Sequence, residues 1–331
     1  MIPFPDENIQ KSVIDFLSEI EGKDNVNPDF IFPEIYSQIN QLFSHRQSYS
    51  GFQTELKTQS NLLSKLRQSY LQEAVMGKLT EPSRDNAQTL LKAIKSQKAE
   101  LIKQGKLRKE KPLAPIKPEE IPFEIPDNWV WCRLGEVCEL IGGYAFKSDT
   151  YVNSSDFQII RLGNVKSDQL VLNTSPTFIP ENIAKNVDNF RIKENDILIT
   201  MTGTKGRRDY YYTLLVENLE YQVFVNQRVG IIRNKVESLS EKYINILLKE
   251  NLILDFIFNE ETGSANQGNV GSEVILNCPI PLPPLSEQKA IVAKVEGLLE
   301  NVSLLESENK AQQIDVQRLM GAVLQEAFGG R

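Results

Sequence analysis

The same sequence pattern occurs near both ends of this 331-residue chain. Ile2-Pro3-Phe4-Pro5 corresponds to Ile280-Pro281-Leu282-Pro283, and Leu71-Gln72-Glu73-Ala74 corresponds to Leu324-Gln325-Glu326-Ala327. Two copies are too few for a solenoid, which needs at least about three stacked units. The repeat therefore predicts two matching helical arms on either side of one unique central domain.

The C-terminal arm has apolar residues at steps that alternate between three and four, which is typical of a coiled-coil seam. We expect one helix over about 287–328, with Ser286 as its N-cap. Two polar residues, Asn309 and Gln312, occupy the middle of the seam, where such residues fix register. The apolar seam positions are Val295, Leu298, Val302, Leu305, Val316, Leu319 and Val323.

The N-terminal arm repeats this rhythm after two shorter predicted helices, about 9–21 and 33–44. Its seam positions are Phe52, Leu56, Gln59, Leu63, Leu66 and Tyr70. A long helix with one apolar stripe is stabilised only when that stripe packs on a partner. We therefore expect the two arms to pair as an antiparallel coiled coil.

Between the arms, the pattern changes first to a basic helix and then to short strands. Residues 85–105 are predicted to be helical, and prolines from Pro112 to Pro122 predict an extended linker. Between Lys92 and Lys117 there are nine Lys or Arg residues and two acids. Strands are expected at 158–161, 196–201, 212–216, 223–226 and 229–233, with one helix at 240–258.

No catalytic or metal-binding signature is present in the sequence, so binding is favoured over catalysis. The chain has one histidine, His45, which is expected to face solvent, and Cys132 and Cys138 lack the partner pair of a zinc site. Gly203-Thr204-Lys205-Gly206 lacks the full phosphate-loop pattern. No apolar run is long enough to span a membrane, and three cysteines without a disulfide framework favour the cytoplasm.

Five polar loops of the central domain carry residue types that contact DNA. Arg, Asn and Gln read base edges, whereas Lys and hydroxyl groups bind phosphates. Any one of these loops alone is more often an ordinary surface turn, and the net charge of −7 gives no support to a DNA partner. The candidate DNA-binding residues are Tyr144, Lys147, Arg161, Asn164, Lys166, Thr202, Thr204, Lys205, Arg207, Arg208, Gln227, Arg228, Ser264, Asn266 and Gln267.

Three segments resemble the specificity subunit of type I restriction-modification systems. They are Ile280–Val295 with its Pro-Pro-Leu-Ser-Glu-Gln core, Leu66–Leu79, and Pro126–Val137. Glu194–Ile199 is also similar to a strand signature of that family, which usually has Gly in place of Asn195. The resemblance covers nearly the whole chain.

The resemblance implies a non-catalytic DNA-recognition subunit. In that family, target-recognition domains each read half of a split site, and conserved helices bind methyltransferase subunits and, through them, restriction subunits. S-adenosylmethionine, ATP and Mg²⁺ belong to those partners, so no cofactor is expected here. The chain has one head instead of two. Either two copies pair, or another half-subunit supplies the second head, or the chain is a silent or recombining cassette product with no activity alone.

These observations together predict an α+β protein with a mixed α/β target-recognition domain between two paired helices. The predicted domains are an N-terminal arm (1–80), a basic helix and linker (81–125), the recognition domain (126–280) and a C-terminal spacer helix (281–331). The alternative is a coiled-coil assembly protein whose head binds a protein. An enzyme that acts on nucleic acid by itself is the third hypothesis.

Overall fold

The computed structural model describes residues 33–105, 112–219, 221–236, 238–264 and 266–328. The predicted helix at 9–21 lies outside these residues. The chain divides into two compact units. One combines residues up to Leu66 with those from Glu300 onward, and the other comprises Arg67–Leu299.

Two long helices and several short ones occur along the described chain. The predicted helix at 33–44 and the arm that follows it form one continuous helix, α1. The helices are α1 (Pro33–Val75), α2 (Ala87–Lys103), α3 (Leu134–Val137), α4 (Glu181–Asn186), α5 (Glu241–Leu247), α6 (Asn251–Asn259), α7 (Ser272–Asn277) and α8 (Leu285–Phe328).

The described strands are short and lie between Val130 and Leu282. Each strand predicted from the sequence is present, with ends that differ by at most one residue. The strands are β1 (Val130–Arg133), β2 (Cys138–Gly142), β3 (Phe157–Ile160), β4 (Val165–Lys166), β5 (Gln169–Leu170), β6 (Thr177–Phe178), β7 (Ile197–Thr200), β8 (Thr202–Gly203), β9 (Thr213–Leu215), β10 (Gln222–Val225), β11 (Val229–Asn234), β12 (Thr262–Ser264), β13 (Gln267–Asn269) and β14 (Pro279–Leu282).

In the first unit, α1 and α8 contact each other through a polar seam position. The Asn309 amide donates to the Leu56 carbonyl and to Gln59 Oε1, both at 3.1 Å. Asn309 is buried, as its place in the predicted seam requires, whereas Gln312 is exposed and Gln313 bonds to Asn309 instead.

The predicted seam is wrong at several apolar positions of the arms. Phe52, Leu66, Leu305 and Leu319 are exposed, whereas Glu306, Gln313 and Met320 are half-buried. Val302, Asn309 and Val316 keep their predicted places, whereas the seam positions between them move on by one residue. The buried steps of α8 therefore run four and three where the prediction ran three and four.

The start of α8 joins three segments of the second unit. Glu287 accepts bonds from Ser83 N at 2.6 Å and from Trp129 Nε1 at 2.6 Å, and Asn128 donates to the same carboxylate. Ser286 is not the N-cap, because α8 begins at Leu285 and the serine hydroxyl donates to Asp85. The Ser-Glu-Gln segment therefore ties residues 128–129 to the residues that follow α1.

The predicted basic helix is confirmed as α2, which packs on the core of the second unit through Ala87, Leu91 and Ile94. Asn86 caps its start, with Oδ1 accepting from Gln88 N at 2.7 Å. The one helix predicted at 240–258 is instead two, α5 and α6. Glu250 separates them by accepting bonds from Leu252 N and Ile253 N at the start of α6.

The central sheet of the second unit has the strand order β2-β11-β7-β9 and is antiparallel throughout. A second sheet, β10-β3-β6, contains the parallel pair β10 and β3. Ile197, Ile199 and Ile232 face one core cluster, and Leu198 and Ile231 face another. The central sheet therefore packs against apolar side chains on both of its faces.

Candidate nucleic-acid interface

Several predicted loops leave the central sheet at the same end. The register pairs Gly142 of β2 with Gly230, Val229 of β11 with Thr200, and Ile199 of β7 with Thr213. Loops 143–147, 201–212 and 226–228 therefore all emerge at one edge of the sheet. We call this edge, with the loops that join it, the recognition edge.

The second sheet brings Arg161 to the recognition edge. Because β3 and β10 are parallel, their carboxyl ends coincide, and Asn226 N donates to Ile160 O at 3.0 Å. Tyr144 N donates to Val225 O at 2.9 Å, and Gln227 N donates to Tyr144 O at 3.1 Å. Backbone bonds thus fix the Tyr144, Arg161 and Gln227 loops against one another.

The hairpin of β12 and β13 adds the loop that is furthest along the chain. Its second strand pairs with β8, placing Gly268 opposite Gly203 and Asn269 opposite Thr202. Val270 N donates to Met201 O at 3.1 Å, and Met201 N donates to Arg228 O at 3.0 Å. Ser264, Asn266 and Gln267 consequently lie on the recognition edge.

Lys166 reaches the same end on the small hairpin of β4 and β5. At its turn, Asp168 N donates to Thr213 O at 3.3 Å, and the Asp168 carboxylate pairs with Lys249. All five loops predicted to contact DNA are therefore brought together in the structure.

Most of the predicted side chains are accessible at this edge. Thr204 is half-buried, and Asn164 and Thr202 are buried. The exposed residues are Tyr144, Lys147, Arg161, Lys166, Lys205, Arg207, Arg208, Gln227, Arg228, Ser264, Asn266 and Gln267.

Asn164 supports its loop from inside, and both Asn164 and Thr202 are buried. Asn164 Oδ1 accepts from Arg161 N at 2.9 Å, and its amide donates to Val171 O at 2.8 Å. Thr202 is only 8% exposed, within β8. Little of either side chain is exposed, and the sequence-based prediction that these two residues contact DNA stays a prediction.

The three cations of the 204–210 loop differ in their surroundings. Arg208 forms an ion pair with Asp255 at 2.6 Å and lies over the Phe258 ring at 5.3 Å. Lys205 Nζ donates to Gly263 O at 3.1 Å. Among the described residues, none bonds to the side chain of Arg207, which therefore remains free for a ligand.

Tyr144 is the one aromatic candidate, and its ring has a fixed position. The ring centroid lies 4.9 Å from that of Phe146 and 5.2 Å from that of Phe190. Tyr144 is nevertheless 40% exposed. A half-exposed, supported ring can contact a thymine methyl group or a deoxyribose without losing side-chain entropy on binding.

The described residues show no arrangement for catalysis by metal or thiolate. No group of three or more His, Cys, Asp or Glu residues is close enough to hold a metal ion in the part of the chain that the structure describes. Burial raises the pKa of the Cys138 thiol to about 12, and it raises the pKa values of Cys132 and Cys278 as well. These thiols remain protonated at neutral pH and are poor nucleophiles. His45 is exposed on α1.

No helix among the described residues has the length and apolar character needed to cross a lipid bilayer.

Sequence reasoning missed the acidic residues that shape the recognition edge. Asp209 Oδ1 accepts from Thr204 N at 2.7 Å, Asp255 pairs with Arg208, and Glu261 bonds to the 204–210 loop. Only Asp209 gave a signal in the sequence, because it directly follows the basic run. Asp255 and Glu261 lie 47 residues or more along the chain from the groups they hold, and no local pattern points to them.

Comparison with known proteins places these loops in a family context. The model of the type I restriction modification DNA specificity domain matches residues 126–315. The EcoAI specificity subunit of Escherichia coli is 33% identical over 244 residues, which cover 72% of this chain and 40% of that protein. The EcoEI specificity subunit of Escherichia coli is 28% identical over 268 residues, covering 79% of this chain and 44% of that protein.

The chain thus spans less than half the length of the curated relatives that it matches. Among solved structures, the HsdS subunit from Thermoanaerobacter tengcongensis aligns with a TM-score of 0.44 at 18% identity, covering 89% of this chain and 59% of that one. Both Escherichia coli relatives are specificity subunits, so the alternative of an assembly protein without a DNA role finds no support.

Proposed function

Because the chain belongs to the family of type I restriction-modification DNA specificity domains, we propose that it recognises a DNA sequence for a type I modification complex. The observation that carries this proposal is the convergence of five polar loops on one edge of the central sheet. An edge of this kind presents bidentate donors and amides to base edges in the major groove. One recognition domain, residues 126–280, would read one half-site.

The exposed residues of the recognition edge divide by the chemistry of their side chains. Arg207 and Arg228 are candidates for bidentate bonds to guanine, and Asn266 and Gln267 for bonds to adenine. Lys147, Lys166 and Lys205 suit phosphates, which set affinity and register without reading sequence. Asn164 acts indirectly, by bonding to the backbone of its own loop.

The arms would dock the partner subunits, as the family resemblance implies. In this proposal methyltransferase subunits bind the helices and carry S-adenosylmethionine, and restriction subunits join through them with ATP and Mg²⁺. The chain itself contributes recognition and no bond-making chemistry. We propose that the working complex acts in the cytoplasm.

We also propose that α1 and α8 run antiparallel within the spacer formed by residues 1–80 and 281–331. Asn309 bonds to Leu56, whereas Glu287, at the start of α8, bonds to Ser83, which follows α1. The earlier residue of α8 thus bonds to the later residue of the N-terminal region. This order of contacts is the one that an antiparallel pair requires.

A test of DNA recognition compares the assembled complex with and without Arg207. The recognised sequence is first read from methylome sequencing of cells with and without the gene. In mobility-shift titrations at several stated salt concentrations, Arg207→Ala is expected to raise the Kd for that site about tenfold and to leave the salt slope nearly unchanged, because a base-reading arginine need not neutralise a phosphate. Arg208→Ala is expected to raise the Kd by a smaller factor than Arg207→Ala. The Arg208 guanidinium is held by Asp255 and is less available to contact DNA.

Lys185→Ala is the matched control, since it removes one exposed positive charge from α4. This helix follows β6, which ends beside the first half of β3, away from the recognition edge. The control should leave both the Kd and the salt slope unchanged. Equal binding by wild type, Arg207→Ala and Lys185→Ala would contradict the assignment of the recognition edge. No change in the methylome on deletion of the gene would contradict the proposed function as a whole.

A further inference from the structure

Glu261 connects two loops of the recognition edge through both of its carboxylate oxygens. Tyr210 OH donates to Oε1 at 2.6 Å, and Gly206 N donates to Oε2 at 2.9 Å. Both donors belong to loop 204–210, here called the basic loop. Glu261 itself directly precedes the hairpin of β12 and β13, so one side chain fixes the basic loop against that hairpin.

The basic loop does not owe its shape to its own backbone preferences. Gly206, Arg208 and, just beyond the loop, Tyr211 all have positive φ values, of 75°, 51° and 65°. For residues with a side chain this conformation is unfavourable. Such a conformation persists only when surrounding contacts impose it. The Glu261 carboxylate supplies two of these contacts, and Asp209 supplies another at Thr204 N.

Two glycines with ordinary φ make room for this arrangement. A Cβ on Gly268 would overlap Glu261 Oε1, and a Cβ on Gly203 would lie 2.5 Å from the Tyr210 ring. Neither glycine has a positive φ, so the backbone conformation does not explain why glycine stands at these positions. Both positions therefore fit an explanation in which the paired strands must approach the carboxylate and the phenol closely.

A carboxylate at this place is unfavourable for phosphate binding in general. Glu261 bonds to the loop that carries Lys205, Arg207 and Arg208, and its negative charge weakens the attraction that this loop exerts on DNA. A residue whose only role was to increase affinity would be neutral or basic here. Its value must therefore come from the geometry that it imposes.

We propose that Glu261 is a positioning residue for sequence specificity, holding the basic loop and the β12–β13 hairpin in the one relative arrangement that reads the target. This inference rests on the proposed function. Fixing two reading elements favours the matching site, whereas non-specific binding through phosphates needs no fixed arrangement. Loss of Glu261 should therefore reduce discrimination while leaving general DNA binding intact.

The test measures the ratio of two affinities for the full chain in its assembled complex. One duplex carries the sequence identified by methylome sequencing, and the other carries the same bases in scrambled order. For Glu261→Ala, the ratio of specific to non-specific affinity is expected to fall about tenfold, since two bonds to a charged acceptor are lost. Affinity for the scrambled duplex should stay the same or rise.

Tyr210→Phe provides a second variant that changes no charge. It removes only the 2.6 Å bond to Glu261, so its ratio should fall by a smaller factor than that of Glu261→Ala. Glu181→Ala removes one exposed carboxylate from α4 and should leave the ratio unchanged. Thermal unfolding followed by the fluorescence of Trp129 and Trp131 shows which variants are folded.

A folded Glu261→Ala complex with the wild-type ratio would overturn the inference. So would an equal gain of affinity for both duplexes, because that result would assign Glu261 a purely electrostatic effect. If Glu261→Ala does not assemble, a folded Tyr210→Phe decides the question in the same way. Failure of the proposed function has a separate signature, which is a wild-type complex that does not discriminate between the duplexes.

Discussion

At the scale of single residues, Asn195 explains a departure from the family pattern. The strand signature of the family usually has Gly at this position, and in the structure Asn195 has a φ of 67°. This left-handed region is open to Gly and is tolerated by Asn better than by other residues with side chains. The turn places Asp196, which is 1% exposed, to receive two bonds from Arg233 at 2.6 and 2.7 Å.

This geometry predicts opposite outcomes for two substitutions of Asn195. Asn195→Val should lower the free energy of unfolding by about 1–3 kcal/mol, because a β-branched residue is strained at positive φ. Asn195→Gly should change it by less than about 1 kcal/mol. Urea unfolding monitored by tryptophan fluorescence checks both, and equal stabilities of the two variants would contradict the role of φ.

Arg133 shows how one buried cation holds the proline-rich linker. Its guanidinium donates to Ala114 O at 3.0 Å, to Pro115 O at 2.9 Å and to both oxygens of Glu120. Bonds from Arg133, followed by a bond from Lys117 N, lower the pKa of Glu120 from its ordinary 4.5. The linker around Glu120 is therefore fixed to β1 by an ionised pair.

The lowered pKa predicts a pH dependence with a defined sign. The ionised Glu120 stabilises the fold fully above pH 4.5, and this contribution is lost as the pH falls through the lowered pKa of the folded state. The stability difference between wild type and Glu120→Gln should thus be largest at neutral pH and shrink in acid. Thermal unfolding from neutral pH down into this acid range measures it, with the exposed Glu119→Gln as the control. A difference that grows in acid would contradict this account.

At the scale of elements, Asn309 is the feature that distinguishes the arms from a purely apolar coiled coil. Its buried amide donates to the Leu56 carbonyl and to Gln59, and its oxygen accepts from Gln313 at 2.7 Å. A polar residue at a seam position fixes register and oligomeric state at a cost in stability. The sequence predicted this position correctly, although it missed Gln313 as the partner.

Asn309→Leu is therefore expected to stabilise the arms and to loosen their specificity. The Tm of the variant should rise by a few degrees, which corresponds to a gain of about 1 kcal/mol in the free energy of unfolding. Light scattering should detect additional oligomeric species. Gln312→Leu, about one helical turn away at an exposed position, is the control and should add no buried contact. A lower Tm with one unchanged species would show that the Asn309 bonds stabilise the pair outright.

The elements also show where periodicity is a sufficient guide and where it is not. Short apolar runs located β3, β7, β9, β10 and β11 to within one residue. The apolar residues spread over 240–258 gave no sign of the break between α5 and α6. That break depends on the side chain of Glu250 capping a new helix, and burial raises the pKa of this carboxyl while the backbone bonds lower it.

At the scale of the whole molecule, the repeated segments and the composition of the loops were readable from the order of residues alone. The repeat at the two ends defined a unique central domain, and the resemblance to specificity subunits agrees with the family match over residues 126–315. The fold class, α+β with long helices on either side of a mixed domain, is confirmed. The predicted domain limits at 80, 125 and 280 remain predictions, as does the arm pairing.

The sequence by itself determined most helices and strands and the residue types in the loops at their ends. Hydrophobic periodicity and turn-forming residues act over a few neighbouring positions, so they can be read from the order of residues. Only the tertiary structure decided which loops meet and which side chains stay free. Tyr210 and Glu261 bond across 51 positions of the chain, and Asp255 holds Arg208 across 47. Contacts at such separations arise from the packing of the sheets, which leaves Arg207 open and encloses Asn164.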